Sequence, residues 1–363
     1  MLSKTRVLHL VGSPTDKFYY DLSLVYARDC IEALTDERHY EFDIALVTPH
    51  GDWKFPRALD ERTIDSTEAV SMSEAIFRLS QSCADVALPQ MFCKRGMTDY
   101  RAMLSVLGIP IIGNPSNVMA LAADKAKTKA VVAAAGVRVP AGQLISRNEQ
   151  STICLPAIVK PNDSDNSVGV RLVNSDADLQ MAINEALNHS DDVLVEEYIK
   201  PGREVRCGIV ECGEELRCLP LQEYEIDQQF RPIRGYNDKL TTNTSGALDL
   251  ASKFKSQSWI VEESDPINEI VWAASRACHR ALGCHDYSLF DFRIDDKGRP
   301  WFLEAGLYCS FAPRSILATM VAATGVAVDR FFQNSLEQVL NKSSFCGDSN
   351  HLQHANAMAT NPI

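Results

Sequence analysis

Two hydrophobic periods alternate along the chain. Short apolar runs that enter Gly or Pro turns stand at RVLHLVG, FDIALVTP, ADVALPQ and IPIIG, within residues 6–113. Between them, helical spacing runs from Asp21 to Leu34 and from Tyr100 to Leu107. This βαβ rhythm predicts a parallel sheet. Its first turn, GSPT, lacks the GxGxxG fingerprint, so no dinucleotide site is assigned there. Residues 114–140 read as helical, with Asn114 and Ser116 able to cap and Gly136 as the stop. From 153 to 220 strands dominate, interrupted by one helix near Asp176–Asn188. Residues 225–257 are polar and aperiodic, a length that usually marks a functional loop or lid. A helix over Ile267–Leu282, a hairpin and a helix over Ala327–Leu340 follow, and the polar tail after Lys342 is expected to be disordered.

The hairpin, 290-FDFRIDDKGRPWFLEAG-306, carries an acid near each end. With Lys297-Gly298 as a two-residue loop, Asp291 faces Glu304, Arg293 faces Phe302, Phe292 faces Leu303 and Ile294 faces Trp301. Strand alternation then makes Phe292, Ile294, Trp301 and Leu303 one apolar face and leaves Asp291 and Glu304 on the other. Like charges directly opposite repel, by roughly 3 kcal/mol at about 5 Å and an effective dielectric near 20. A cation between them would relieve this, and Mg²⁺ favours one or two carboxylates plus substrate phosphates. The alternative is a solvated polar face with Arg293 as counter-ion.

Three further segments bear on the same chemistry. In 156-PAIVKPNDSDNSVGVRLV-173 a strand delivers Lys160 to a polar loop that includes Asn166 and Ser167, and such a loop can fold over phosphates. An ordinary hairpin loop is the competing reading. In 194-LVEEYI-199 a strand edge beside Glu196 and Glu197 can receive an adenine, and Glu204 can accept ribose hydroxyls. An edge strand with solvent-facing acids is the plainer alternative. Arg234, Tyr236 and Lys239 stand in the aperiodic stretch, where a lysine on a lid can close on phosphate or simply solubilise a loop.

Composition narrows the classes. The 363 residues suffice for two or three domains, and 45% hydrophobic content supports packed cores. Acids number 48 against 36 bases, a net charge of −12 that argues against a broad nucleic-acid surface. No apolar run reaches transmembrane length, and the N-terminus reads as a first strand rather than a signal peptide. Eleven scattered cysteines without a CxxC pair fit reduced, cytoplasmic thiols.

The order of these parts resembles the ATP-grasp superfamily, in particular its D-alanine–D-alanine ligase branch. The segments 124-DKAKTKAVVAAAGVRVP-140, 158-IVKPNDSDNSVGV-170, 203-REV-205 and 291-DFRIDDKGRPWFLEA-305 carry the likeness. It implies a mixed α/β (α+β) chain with an ATP-grasp fold in three domains: residues 1–113, 114–193 and 194–341, with a lid over 225–257. It implies ATP and Mg²⁺. Lys125 and Lys160 would contact phosphates under the loop bearing Asn166 and Ser167. Glu196, Glu197, Tyr198 and Ile199 would line adenine, and Glu204 would hold ribose. Lys239 would come from the lid, and Asp291 and Glu304 would bind the metal. Lys160, Lys239, Ser167 and Arg293 are the catalytic candidates, and Ser315 falls where such ligases hold the attacking amino acid's carboxylate, with Arg314 beside it. A homodimer is also suggested, with no nucleic-acid or membrane partner.

The departures from that branch are specific. The Arg expected two residues before the metal Asp is Leu289, and the Asn expected two after the metal Glu is Gly306. Tyr19 and Gln90 replace a Glu and a His. The stretches LHLVGSPTDKFYYDLS, LPQMFCKRGMTDYRA, GREVRCGI, YSLFDFRID and FLEAGLYCSFAP are similar to cyanobacterial ligases of mycosporine-like amino acid synthesis. That likeness implies mycosporine-glycine and an amino acid, Ser or Thr, as substrates, with Tyr19, Gln90, Met91 and Arg95 as candidates for the ring site.

Overall fold

The computed structural model describes residues 4–164, 168–200, 202–227, 233, 241–242, 248–249, 258–308 and 310–341. The chain divides into two compact units, one of Met1–Gly113 with the segment from Ala327 onward, the other of Asn114–Val326. Among the described residues no helix is long and apolar enough to cross a membrane.

The first unit is built on β1 (Thr5–Gly12), β2 (Tyr40–Val47), β3 (Trp53–Lys54) and β4 (Val86–Pro89), in the order β3-β2-β1-β4. β1 runs parallel to both β2 and β4. Val7, Leu8, Leu10 and Val11 are all buried, as expected of a parallel strand covered on both faces. IPIIG forms only a single bridge, Ile111 to Ala87, instead of the expected strand. Pro110 has no N–H to give to a ladder. The closing helix, residues 328–341, belongs to this unit, where Phe332 meets Tyr40 edge-on at 5.4 Å.

Gly12 ends β1 with φ +93°. A Cβ there would lie 2.1 Å from the Val47 carbonyl oxygen, which already accepts from the Ser13 N–H at 3.0 Å. The following helix, Lys17–Leu34, is capped by Asp16, whose side chain accepts from the Tyr19 N–H.

The second unit contains two principal sheets. The smaller has β5 (Gly142–Ile145), β6 (Ala157–Pro161), β7 (Arg171–Val173) and β8 (Val193–Glu197) in the order β5-β8-β6-β7. β8 is therefore an inner strand, paired with β5 and β6. The strand edge expected beside Glu196 is covered by β5, and a domain division at 193 would cut β8 from its sheet.

The larger sheet has β9 (Arg203–Cys212), β10 (Glu215–Cys218), β11 (Gln222–Tyr224), β14 (Ser258–Ile260), β15 (Tyr287–Ile294) and β16 (Pro300–Ala305). Its order is β14-β11-β9-β15-β16, with β10 beside β9. A separate two-stranded pair joins β12 (Thr241–Thr242) and β13 (Leu248–Asp249). The segment expected as one helix over 114–140 breaks at Asp124, which ends Ser116–Ala123 and caps Lys125–Ala134. Asp124 competes for the backbone N–H of Lys127, the cap geometry that acids favour.

The hairpin turn differs from the two-residue loop. The Asp295 N–H donates to the Arg299 carbonyl, so Asp296, Lys297 and Gly298 form the loop, with Gly298 at φ +73°. Asp295 fastens it, accepting from the backbone N–H of Lys297 and Arg299 and from the Trp301 indole. Phe292 consequently pairs with Phe302, Arg293 with Trp301 and Ile294 with Pro300. A bulge between Asp291 and Phe292 then restores the pairing of Asp291 with Glu304. Phe302 takes the core place expected for Trp301 and Leu303, its ring 5.9 Å from that of Phe292. Trp301 instead lies under the Arg138 and Arg299 guanidinium groups.

Gly12 and Gly51 both hold positive φ, but a Cβ at Gly51 meets nothing within 4 Å. Gly51→Ala should cost about 1 kcal/mol of backbone strain, and Gly12→Ala clearly more, roughly 3 kcal/mol, because of the added clash. Urea unfolding of the two variants against wild type checks this; equal losses would contradict the close-approach account.

Candidate active site

One face of the larger sheet carries two polar rows. Gln222, Arg206, Asp291 and Glu304 are successive partners across β11, β9, β15 and β16. Two residues along, or three on β16 because of the bulge, Tyr224, Glu204, Arg293 and Trp301 form the second row. The residues alternate with apolar Val205, Cys207, Phe290 and Phe292, which are buried.

Asp291 and Glu304 are thus brought face to face, as the hairpin pairing implies. Arg293 is not their counter-ion. Its guanidinium donates to Glu204 at 2.7 Å and to the Ile199 carbonyl at 3.3 Å, and lies over the Tyr198 ring at 5.6 Å. The cation at Asp291 is Arg206, which binds both carboxylate oxygens through its Nε and Nη2. Burial alone would lower the Arg206 pKa, but Asp291, Tyr224 and Glu304 raise it well above its ordinary value. Arg206 was legible as a residue two positions from Glu204 on one strand, hence on the same face.

Among the described residues no group of three or more His, Cys, Asp or Glu forms a metal cluster. Two carboxylates opposite one another still suit Mg²⁺, which completes its shell with water and phosphate. Among the described residues a Cβ on Gly306 would meet only the Leu289 side chain, at 4.0 Å. The Gly306 N–H donates to the Leu289 carbonyl at 2.9 Å, and Leu289 is buried.

The smaller sheet supplies a second charged cluster. Glu196 is buried between the ammonium groups of Lys160, at 2.5 Å, and Lys129, at 3.0 Å. Lys129 also donates to the Phe302 carbonyl at 3.1 Å. The Glu196 carboxylate is therefore held by two lysines rather than presented to a base. Burial pushes the Lys129 ammonium down to about 8, while Glu196 partly opposes the shift. Lys129 escaped the sequence reading. It lies one helical turn after Lys125, so both project on one face of Lys125–Ala134.

Lys125 opens its helix against the loop that leaves β6. Its ammonium donates to the Ser164 carbonyl, and the Asn162 side chain accepts from the Ala126 N–H at 2.9 Å. Glu197 accepts from the Ala141 N–H at 3.0 Å. Asn166, Ser167 and Lys239 lie outside the described residues, as do Arg234 and Tyr236.

Ser315 caps the helix Ile316–Ala322; its hydroxyl donates to the Ser310 carbonyl at 2.6 Å and accepts from the Ala318 N–H. Its polar capacity is largely used by that cap, and Arg314 beside it is exposed. Within the first unit, Gln90 and Met91 are buried. Gln90 bonds His9 at 3.0 Å, whose pKa burial lowers to about 3, and Met91 packs in the hydrophobic core. Tyr19 is half-buried at the start of its helix, and Arg95 is exposed, paired with Asp99 at 3.3 Å.

The sheets have solved counterparts. The chain superposes on the VanG D-Ala:D-Ser ligase from Enterococcus faecalis with a TM-score of 0.76 at 20% identity, covering 93% of this chain and 100% of that one. A Bacillus anthracis D-alanine–D-alanine ligase complexed with ATP gives 0.70 at 20% identity, covering 94% and 99%. These likenesses define an ATP-grasp ligase fold. A family profile described as "D-ala D-ala ligase C-terminus" matches residues 131–337. The chain belongs to the D-alanine–D-alanine ligase family, whose members are ATP-dependent and use Mg²⁺. The D-alanine–D-alanine ligase of Gloeobacter violaceus is 30% identical over 251 residues, 66% of this chain and 76% of that protein. An uncharacterized protein of Sinorhizobium fredii is 30% identical over 230 residues, 62% of this chain, and the match spans 65% of its length.

The Lys129 pKa of about 8 lies below the ordinary 10.5, so between these values the unfolded chain binds more protons than the folded one. Stability from this group is therefore least below pH 8 and rises toward pH 10.5. Urea unfolding of wild type and Lys129→Met across pH 7.5–10 should show wild type gaining on the variant as pH rises. A constant difference would contradict the buried-ammonium assignment.

Proposed function

We propose that the protein is an ATP-dependent carbon–nitrogen ligase that joins an amino acid, serine or threonine, to mycosporine-glycine. The observation that carries this reading is the apolar end of the carboxylate face. Leu289 and Gly306 stand beside Asp291 and Glu304, where neither can donate to the oxyanion of a tetrahedral acyl intermediate. The five sequence stretches similar to mycosporine ligases support the same substrates.

In this reaction the ring oxygen of mycosporine-glycine, a vinylogous amide, takes the γ-phosphoryl group and ADP leaves. The amino-acid nitrogen then adds to the activated ring carbon. Phosphate departs with the ring oxygen, the nitrogen loses its protons, and a C=N bond remains. No tetrahedral centre derived from a carboxyl group forms. Asp291 and Glu304 would hold Mg²⁺, which would supply charge neutralisation at the phosphates. Lys125 stands against the post-β6 loop, where its ammonium can face a phosphate. Lys160, which holds Glu196, is the second phosphate candidate, and Asn166, Ser167 and Lys239 are further phosphate candidates outside the described residues. Arg293 steadies Glu204 for ribose and the Tyr198–Ile199 backbone for adenine, with Glu197 beside it. In this reading Arg314 and Ser315 are the candidates for holding the acceptor carboxylate, and Tyr19, Gln90, Met91 and Arg95 are the candidates for binding the ring.

A second reading is a dipeptide ligase working through an acyl phosphate. The family membership and the relatives' own names favour it.

Purified protein with Mg·ATP, mycosporine-glycine and each amino acid in turn should yield ADP, a product of the condensed mass, and near-UV absorption moved to longer wavelength. No shift with any amino acid would overturn the mycosporine reading. ADP release from simple amino-acid pairs, without mycosporine-glycine, would establish the dipeptide reading instead. Asp291→Asn and Glu304→Gln should each lower kcat by roughly 100-fold or more under either reading. Full turnover by either variant would remove the metal assignment.

A further inference from the structure

We infer that Arg206 competes with the divalent ion for Asp291 and so sets how tightly the site takes metal. The inference rests on the assignment of Asp291 as a metal ligand. Arg206 and Asp291 are direct partners across β9 and β15, and the guanidinium fork binds both carboxylate oxygens. Both side chains are largely buried, 13% and 9% exposed. An ion approaching Asp291 therefore meets a fixed positive charge already using the oxygens it needs. Two cations cannot share one carboxylate in a poorly solvated row without mutual repulsion.

The adjacent row already gives the guanidinium a second partner. The Tyr224 ring lies 5.8 Å from the Arg206 guanidinium carbon, a cation–π distance. Gln222, the Arg206 partner on β11, has its side chain tied to Ser258 at 3.0 Å and to the Tyr224 hydroxyl at 3.2 Å. Arg206 can thus turn from Asp291 toward Tyr224 without leaving the face. Such an exchange keeps Asp291 compensated in both states. Metal binding then costs the loss of one strong ion pair.

The test is Mn²⁺ binding in the presence of ADP, read from the free-ion electron paramagnetic resonance signal. Arg206→Met and Arg206→Gln should bind Mn²⁺ about tenfold more tightly than wild type, the effect of removing one neighbouring like charge. Arg206→Lys, which keeps the charge, should stay close to wild type. Thermal unfolding supplies a second readout. Without metal the neutral variants should melt below wild type, since Asp291 loses its partner, and Mn²⁺ should raise their midpoint by more than it raises that of wild type. Asp291→Asn separates the two claims. If it retains wild-type Mn²⁺ affinity, the metal assignment falls and this inference with it. If it loses Mn²⁺ while the neutral Arg206 variants bind no more tightly than wild type, the competition alone is overturned.

Discussion

The second unit is organised around a carboxylate that cannot be left alone. Glu196 is 2% exposed, and an isolated charge at that depth would be prohibitively costly. Lys160 from β6 and Lys129 from the helix Lys125–Ala134 close on it from two directions. Lys129 then reaches the Phe302 carbonyl on β16, so one cluster ties the helix and the smaller sheet to the larger one. Burial lowers the Lys129 pKa, Glu196 partly opposes the shift, and the neighbouring Lys160 ammonium adds to it. The helix start, which carries Lys125 at the post-β6 loop, is positioned by the same tie.

The larger sheet solves a similar problem by alternation. Glu204 pairs with Arg293 in one row, and Asp291 with Arg206 in the next. Each guanidinium has a carboxylate directly across the ladder, which keeps neighbouring like charges apart. Glu304 completes the Arg206–Asp291 row. Both rows of the face are thus built from the same device, a buried Arg–carboxylate pair across the ladder.

Much of this was readable from periodicity. The βαβ rhythm of the first unit, the helix Ile267–Leu282 and the facing of Asp291 with Glu304 all follow from local pattern. The hairpin shows the limit. Its turn holds three residues rather than two, and a bulge compensates, so the end pair survives while the pairs between shift by one. Side-chain period alone cannot reveal two cancelling irregularities. IPIIG shows another: an apolar run looks like a strand until Pro110 withholds its N–H from the ladder.

The sequence by itself determined the residue types, their order and the strand faces, because these depend on contacts between near neighbours along the chain. That was enough to identify the paired acids, Lys125 and Lys160, and the family resemblance. Only the tertiary structure decided who neutralises whom. Arg206 rather than Arg293 meets Asp291, Lys129 shares Glu196, and β5 covers an edge that looked open. Those partners come from strands and helices far apart in sequence. Burial makes each charge seek whichever opposite charge the fold brings closest, and that proximity has no local signal.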